Sequence, residues 1–176
     1  MPSSHLVDAI DRLEPVPYAG HLFRHVAVGR HPLSGAGARS QGGRWNPPQS
    51  FATLYLADRQ ATVEAEFRRM ATRQGLHPSQ FLPRRIYRLA VELQAVVDLT
   101  GPDVFPSELA DVDLGSDDLT ATQAIGEAAQ YLGREAILAP SAAGEGKVLA
   151  VFIDRLLPQS AVIDVDFEVW TQAPET

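Results

Sequence analysis

Ser34 to Pro48 reads SGAGARSQGGRWNPP, and a short step further on Thr53 to Asp58 reads TLYLAD. The first run lies within Gly29 to Gln49, which holds five glycines and three prolines. That is long for a connection without structure of its own, and loops of that length usually carry function or are disordered. Trp45 within it argues for order. The adjacent Gly42 and Gly43 let backbone N–H groups come close to a ligand, and Arg39 and Arg44 offer forked donors that suit phosphate oxygens. A glycine-rich surface loop with solvated arginines is the plainer reading of the same residues. TLYLAD has the β-branched and aromatic content of a strand with Tyr55 at its centre.

Outward from this pair, His21 to Val28 predicts a strand and Arg59 to Gln74 a helix, with Asp58 as its N-cap. Val63, Phe67 and Met70 recur at i, i+4 and i+7 and mark the buried stripe. At about 100° per residue, Glu66 falls at the edge of that stripe and Glu64 well outside it. Glu64 is therefore expected to be solvated and Glu66 to sit between core and cleft. Arg85 to Leu93 and Ala95 to Leu99 predict two strands, and Gly101 to Ser116 is irregular. Asp117 to Leu132 predicts a helix ended by Gly133. Ala136 to Ala139, Lys147 to Ile153, Ala161 to Val165 and Phe167 to Trp170 predict further strands. Strands and helices do not alternate regularly, so the expected class is α+β rather than a doubly wound parallel sheet.

The chain has 176 residues, 45% hydrophobic and 21% charged, enough for one domain spanning 1–176. Met1 to Pro17 and Gln172 to Thr176 are expected to be loose. The formal charge of −7 argues against nucleic-acid binding, which needs a basic face. It leaves room for a local basic pocket. With no cysteine, disulfides, thiolate zinc sites and cysteine nucleophiles are excluded. No apolar run approaches the roughly 20 residues of a membrane span, and no signal-peptide pattern opens the chain. A cytoplasmic location is expected. The histidines lack zinc-ligand spacing, so no metal is expected, and Gly35-Ala36-Gly37 lacks the third glycine of a dinucleotide fingerprint.

The order of features is more telling than any one of them. Arg24 stands in an F-R strand; GGRWNPP (Gly42 to Pro48), LYLAD (Leu54 to Asp58), Glu66, TQAIG (Thr122 to Gly126) and LAPSAAGEGKVLAVF (Leu138 to Phe152) follow. This ordered set resembles the RES domain, named for an arginine, a glutamate and a serine. The resemblance implies a fold like that of ADP-ribosyltransferase toxins and a toxin that degrades NAD⁺. Its partner would be an antitoxin with a helix-turn-helix (Xre-like) domain that occludes the active site, and the pair could join in a higher-order assembly.

The chemistry implied is cleavage of the nicotinamide–ribose bond through an oxocarbenium-like state, which a carboxylate near the ribose stabilises. The resemblance assigns that role to Glu66, against the alternative of a surface carboxylate paired with Arg69 or Arg59. Arg24 and Arg44 would bind the pyrophosphate, or inorganic phosphate as co-substrate. Tyr55 would stack on nicotinamide or ribose, or else be a core tyrosine. Gly43 offers backbone to the ligand, and Asn46 with Trp45 fixes the loop. Ser141 is the first candidate for the hydroxyl and Thr120 the second. His25 stands where some relatives carry tyrosine, and Gln123 is either a hydrogen-bonding residue or a helix-start side chain. Three outcomes follow: phosphorolysis or hydrolysis of NAD⁺, ADP-ribosylation of a protein from the same site, or an inactive binding module.

Overall fold

A computed structural model describes residues 1–101 and 109–174. Among the described residues the α-helices are α1 (Ser4–Asp11), α2 (Ala36–Gln41), α3 (Gln60–Arg73) and α4 (Thr120–Tyr131). The strands among them are β1 (Val16–Ala27), β2 (Thr53–Ala57), β3 (Arg84–Asp98), β4 (Ala136–Pro140), β5 (Lys147–Phe152) and β6 (Ala161–Trp170).

The sheet runs β1-β2-β5-β4-β3-β6, and β1 also pairs with β3. Five strands thus close on themselves like a small barrel, with β6 laid along the outside of β3. The ring is held firmly on one side and lightly on the other. β1 and β3 are in register from Gly20↔Val91 to Ala27↔Arg84, whereas β1 meets β2 at the single pair Phe23↔Ala57. All pairings are antiparallel except β3 with β4, so the α+β class holds and a doubly wound sheet is absent.

Period-two alternation sorts the side chains. Leu22, Leu54, Leu56, Leu89, Leu93 and Leu149 turn into the ring. Ile137, Ala150 and Phe152 turn outward beneath α1 and α4, where they meet Ile10, Trp45 and Ile125. On a third side, α3 sets Val63 against Ala57 and Ile86. Phe67, fully buried, lies edge-on to both His25 and Trp170; its removal to alanine would cost about 3–5 kcal/mol.

Several expectations are corrected. Met1 to Pro17 is not loose: α1 packs on α4 with Ala9 and Ile10 buried, and β1 begins at Val16. Asp58 does not cap α3; Arg59 stands at the cap without a side-chain bond, and Asp58 Oδ1 accepts from the Thr62 hydroxyl instead. The two strands read at 85–99 are one. The break read at Gln94 is where the buried Glu135 carboxylate accepts the amides of Gln94 (2.6 Å) and Ala95 (2.8 Å). The two strands read at 161–170 are also one, with a register shift opposite Arg88 and Leu89 that leaves Val165 out of the pairing. Residues 102–108 of the irregular 101–116 stretch, and the last two residues, lie outside the described residues. No helix among the described residues is long and apolar enough to cross a membrane.

Candidate active site

The RWN loop, α2, α3 and the paired ends of β1 and β2 enclose a cleft of about 500 Å³. Each wall brings one part of the chemistry. The seventh residue of α3 is Glu66, which faces the cleft; Glu64, expected to be solvated, is half-buried but does not line it. The Ser141 hydroxyl donates to Glu66 Oε1 at 2.6 Å and accepts from the Ala143 amide. Ser141 sits just past β4, on a turn that α3 holds at two further points: Arg69 donates to the Ala142 carbonyl, and Thr62 to that of Glu145. A charge-directed O–H donor of this length is a strong contact. It fixes one carboxylate oxygen in place.

Thr120, the other hydroxyl candidate, is exposed at the start of α4 and donates to Asp118 Oδ1 at 2.7 Å. Neither hydroxyl lines the cleft itself, but Ser141 bonds a side chain that does and Thr120 does not. Position explains the difference: Thr120 serves the opening of a helix, whereas Ser141 follows a strand that ends beside α3.

Tyr55 alternates outward from Leu54 and Leu56, and its ring lines the cleft. Its hydroxyl donates to Asn46 Oδ1 at 2.7 Å and accepts from the Trp45 amide at 2.9 Å. Burial raises its pKa, so it remains a neutral donor. Asn46, fully buried, donates in turn to the Ala38 carbonyl at 2.7 Å. Gln123 donates to the Gly43 carbonyl at 3.0 Å. Glycine is required at 43, because a Cβ there would lie 2.4 Å from the Tyr55 oxygen. The same close approach recurs where Gly126 of α4 meets the Trp45 carbonyl, 1.8 Å from where a Cβ would stand.

The basic side of the cleft is built from arginines that also hold loops. Arg24 donates to the carbonyls of Pro32 (2.5 Å) and Ser34 (2.9 Å). Burial first, then the charge of Arg84, brings its pKa down to about 10, which still leaves it cationic at neutral pH. Arg44 donates to the carbonyls of Leu114 and Ser116. Its pKa is lowered by burial and then by Arg69, with Glu66 pulling the other way. His25 accepts from Arg84 Nε at Nδ1, 2.8 Å away. Burial, then Arg84 and Arg24, push its pKa down to about 3, so the ring is neutral.

The sequence reading missed three arginines. Arg69 and Arg73 line the cleft beside Glu66, and Arg84 backs His25. Their signal was available for two: positions i+3 and i+7 from Glu66 share its helix face. Arg84 could be placed only by the β1–β3 register. Among the described residues no cluster of His, Cys, Asp or Glu could hold a metal.

A family model for the RES domain matches residues 21–170, and the chain belongs to that family. Its relatives include the NAD(+) phosphorylase MbcT of Mycobacterium tuberculosis, 35% identical over 156 residues that cover 87% of this chain and 84% of that protein. A probable NAD(+) phosphorylase of the same organism is 37% identical over 138 residues, 76% of this chain and 65% of that one. The crystal structure of the M. tuberculosis MbcT–MbcA toxin–antitoxin complex matches with a TM-score of 0.84 at 30% identity, over 96% of this chain and 93% of that one.

Proposed function

We propose that this protein is the toxin of a toxin–antitoxin pair and cleaves the nicotinamide–ribose bond of NAD⁺ by phosphorolysis, giving ADP-ribose-1''-phosphate and nicotinamide. The observation that carries the reading is Glu66, held from behind by the Ser141 hydroxyl, facing an arginine-lined cleft in a fold shared with an NAD(+) phosphorylase.

The chemistry suits these groups. As the C–N bond breaks, its electron pair returns to the pyridinium nitrogen, so nicotinamide leaves neutral and needs no proton. The ribose carbon gains positive charge, and the Glu66 carboxylate stabilises it. Ser141 holds one carboxylate oxygen and leaves the other for the ribose hydroxyls. A phosphate oxygen then bonds to the carbon. Arg24 and Arg44 supply cations for phosphate groups, and the Tyr55 ring offers an apolar face to the ring or sugar. His25 and Asn46 shape the walls, Gly43 admits the ligand near the backbone, and Gln123 steadies the loop. No metal enters this scheme.

The remaining parts of the proposal concern setting. The whole chain acts as one RES unit in the cytoplasm, with a fold of the ADP-ribosyltransferase type. Its partner is a helix-turn-helix antitoxin whose acidic side chain or terminal carboxylate reaches Arg24 or Arg44 and fills the cleft. A relative's structure in complex with an antitoxin supports an antitoxin as the partner.

Timed incubation of the purified protein with NAD⁺, with and without phosphate and with product identification, tests the reaction. NAD⁺ loss accelerated by phosphate is expected. Intact NAD⁺ after prolonged incubation would overturn it, and label transferred to protein would replace it with ADP-ribosylation.

A further inference from the structure

Four arginines line the cleft: 24, 44, 69 and 73. Three are already engaged with the protein itself. Arg24 holds the carbonyls of Pro32 and Ser34, and Arg44 those of Leu114 and Ser116. Arg69 holds Ala142 and Gly115 and pairs with Asp117 at 2.7 Å. Arg73 differs. It is exposed in the last turn of α3, and among the described residues its guanidinium has no hydrogen-bond acceptor and no carboxylate partner.

Its position is set by the helix. At about 100° and 1.5 Å per residue, Arg73 lies on the Glu66 face and about 10 Å further along the axis. It is close enough to Arg44 that its charge lowers that guanidinium's pKa. Two like charges converge on one wall of a protein whose net charge is −7, which favours an anion between them.

We propose that Arg73, together with Arg44, forms a phosphate-binding clasp at the outer end of the cleft. Of the two phosphates in the reaction proposed above, on which this ligand choice rests, the geometry favours the NAD⁺ diphosphate. That group lies one ribose ring away from the reacting carbon, so a dinucleotide laid along α3 with its ribose at Glu66 carries it toward Arg73. Inorganic phosphate must instead reach the reacting carbon itself.

Calorimetric titration of the antitoxin-free protein with ADP-ribose and, separately, with inorganic phosphate tests the clasp without requiring turnover. Arg73→Ala is expected to weaken ADP-ribose binding about tenfold, Arg73→Lys less, and the exposed Arg155→Ala not at all, with unfolding midpoints unchanged. Weakened phosphate binding with ADP-ribose unaffected assigns the clasp to the free anion. Unchanged binding of both probes in Arg73→Ala, or no binding of either by the unsubstituted protein, overturns it. A protein that binds ADP-ribose through Arg73 yet leaves NAD⁺ intact overturns the enzymatic reading alone.

Discussion

The hydroxyl of Ser141 and the carboxylate of Glu66, 75 residues apart in sequence, meet at 2.6 Å because β4 ends alongside the middle of α3. Ser141→Ala removes the donor and leaves Glu66 free to turn. NAD⁺ turnover is expected to fall about ten- to a hundredfold, on the order of 1.4–2.7 kcal/mol of barrier. Glu66→Gln should abolish it and Thr120→Ala should leave it unchanged. Equal loss in the serine and threonine variants would refute the assignment of the hydroxyl.

Gly126 is where α4 accepts the Trp45 carbonyl. Gly126→Ala should cost about 1–3 kcal/mol or more, since a methyl there must displace backbone rather than a flexible side chain. Urea unfolding would measure the loss. Because Trp45 also donates its amide to Tyr55, turnover should fall more than stability alone accounts for.

His25 gives the fold a dependence on pH. Its pKa of about 3 lies below the roughly 6.5 of an unfolded histidine, so below 6.5 the unfolded chain binds the extra proton. This residue therefore subtracts stability as pH falls from 6.5 toward 3 and contributes no such loss above 6.5. Urea unfolding at pH 7.5 and 5.5 should show a smaller acid loss in His25→Gln than in the unsubstituted protein. The ring's NMR shifts should stay those of a neutral imidazole at pH 5.

Glu135 works in the opposite sense. Burial raises its pKa, but the amides of Leu157, Gln94 and Ala95 outweigh that and hold it below the usual value. Its contribution is present above the unfolded carboxyl value of about 4.3 and fades as pH falls through the folded one. Glu135→Gln should cost about 1–3 kcal/mol at pH 7, and the gap between variant and parent should narrow near pH 3.

Much of this was legible in the sequence where the signal is local. The period of Val63, Phe67 and Met70 placed α3, and the same projection put Glu66 rather than Glu64 toward the cleft. The glycine pair before Arg44 marked a close approach, although the neighbour turned out to be the Tyr55 ring. What was not legible depends on distant partners. Nothing near Gln94 announces that Glu135 will bridge its amide and keep β3 whole, and nothing near Ala9 and Ile10 announces that α4 will cover them. Asp58 had the right type and place for a cap, but Thr62 one turn later offered a nearer donor. The choice between Ser141 and Thr120 needed the sheet, because the pairings of β4 with β3 and, to its last residue, with β5 set where its end lies.

The closed sheet has a consequence for the timing of synthesis. β5 is the strand that joins β2 to β4, and it arrives late, at Lys147–Phe152. A nascent chain that has emerged only as far as Pro140 has Glu66 and all four cleft arginines but neither Ser141 nor the strand that holds the far wall. Domains fold as units as they leave the ribosome, and pairings this remote in sequence form slowly. The growing chain thus lacks a complete cleft until its last fifth appears, and the contact that fixes the Glu66 carboxylate can form only once Ser141 has been made.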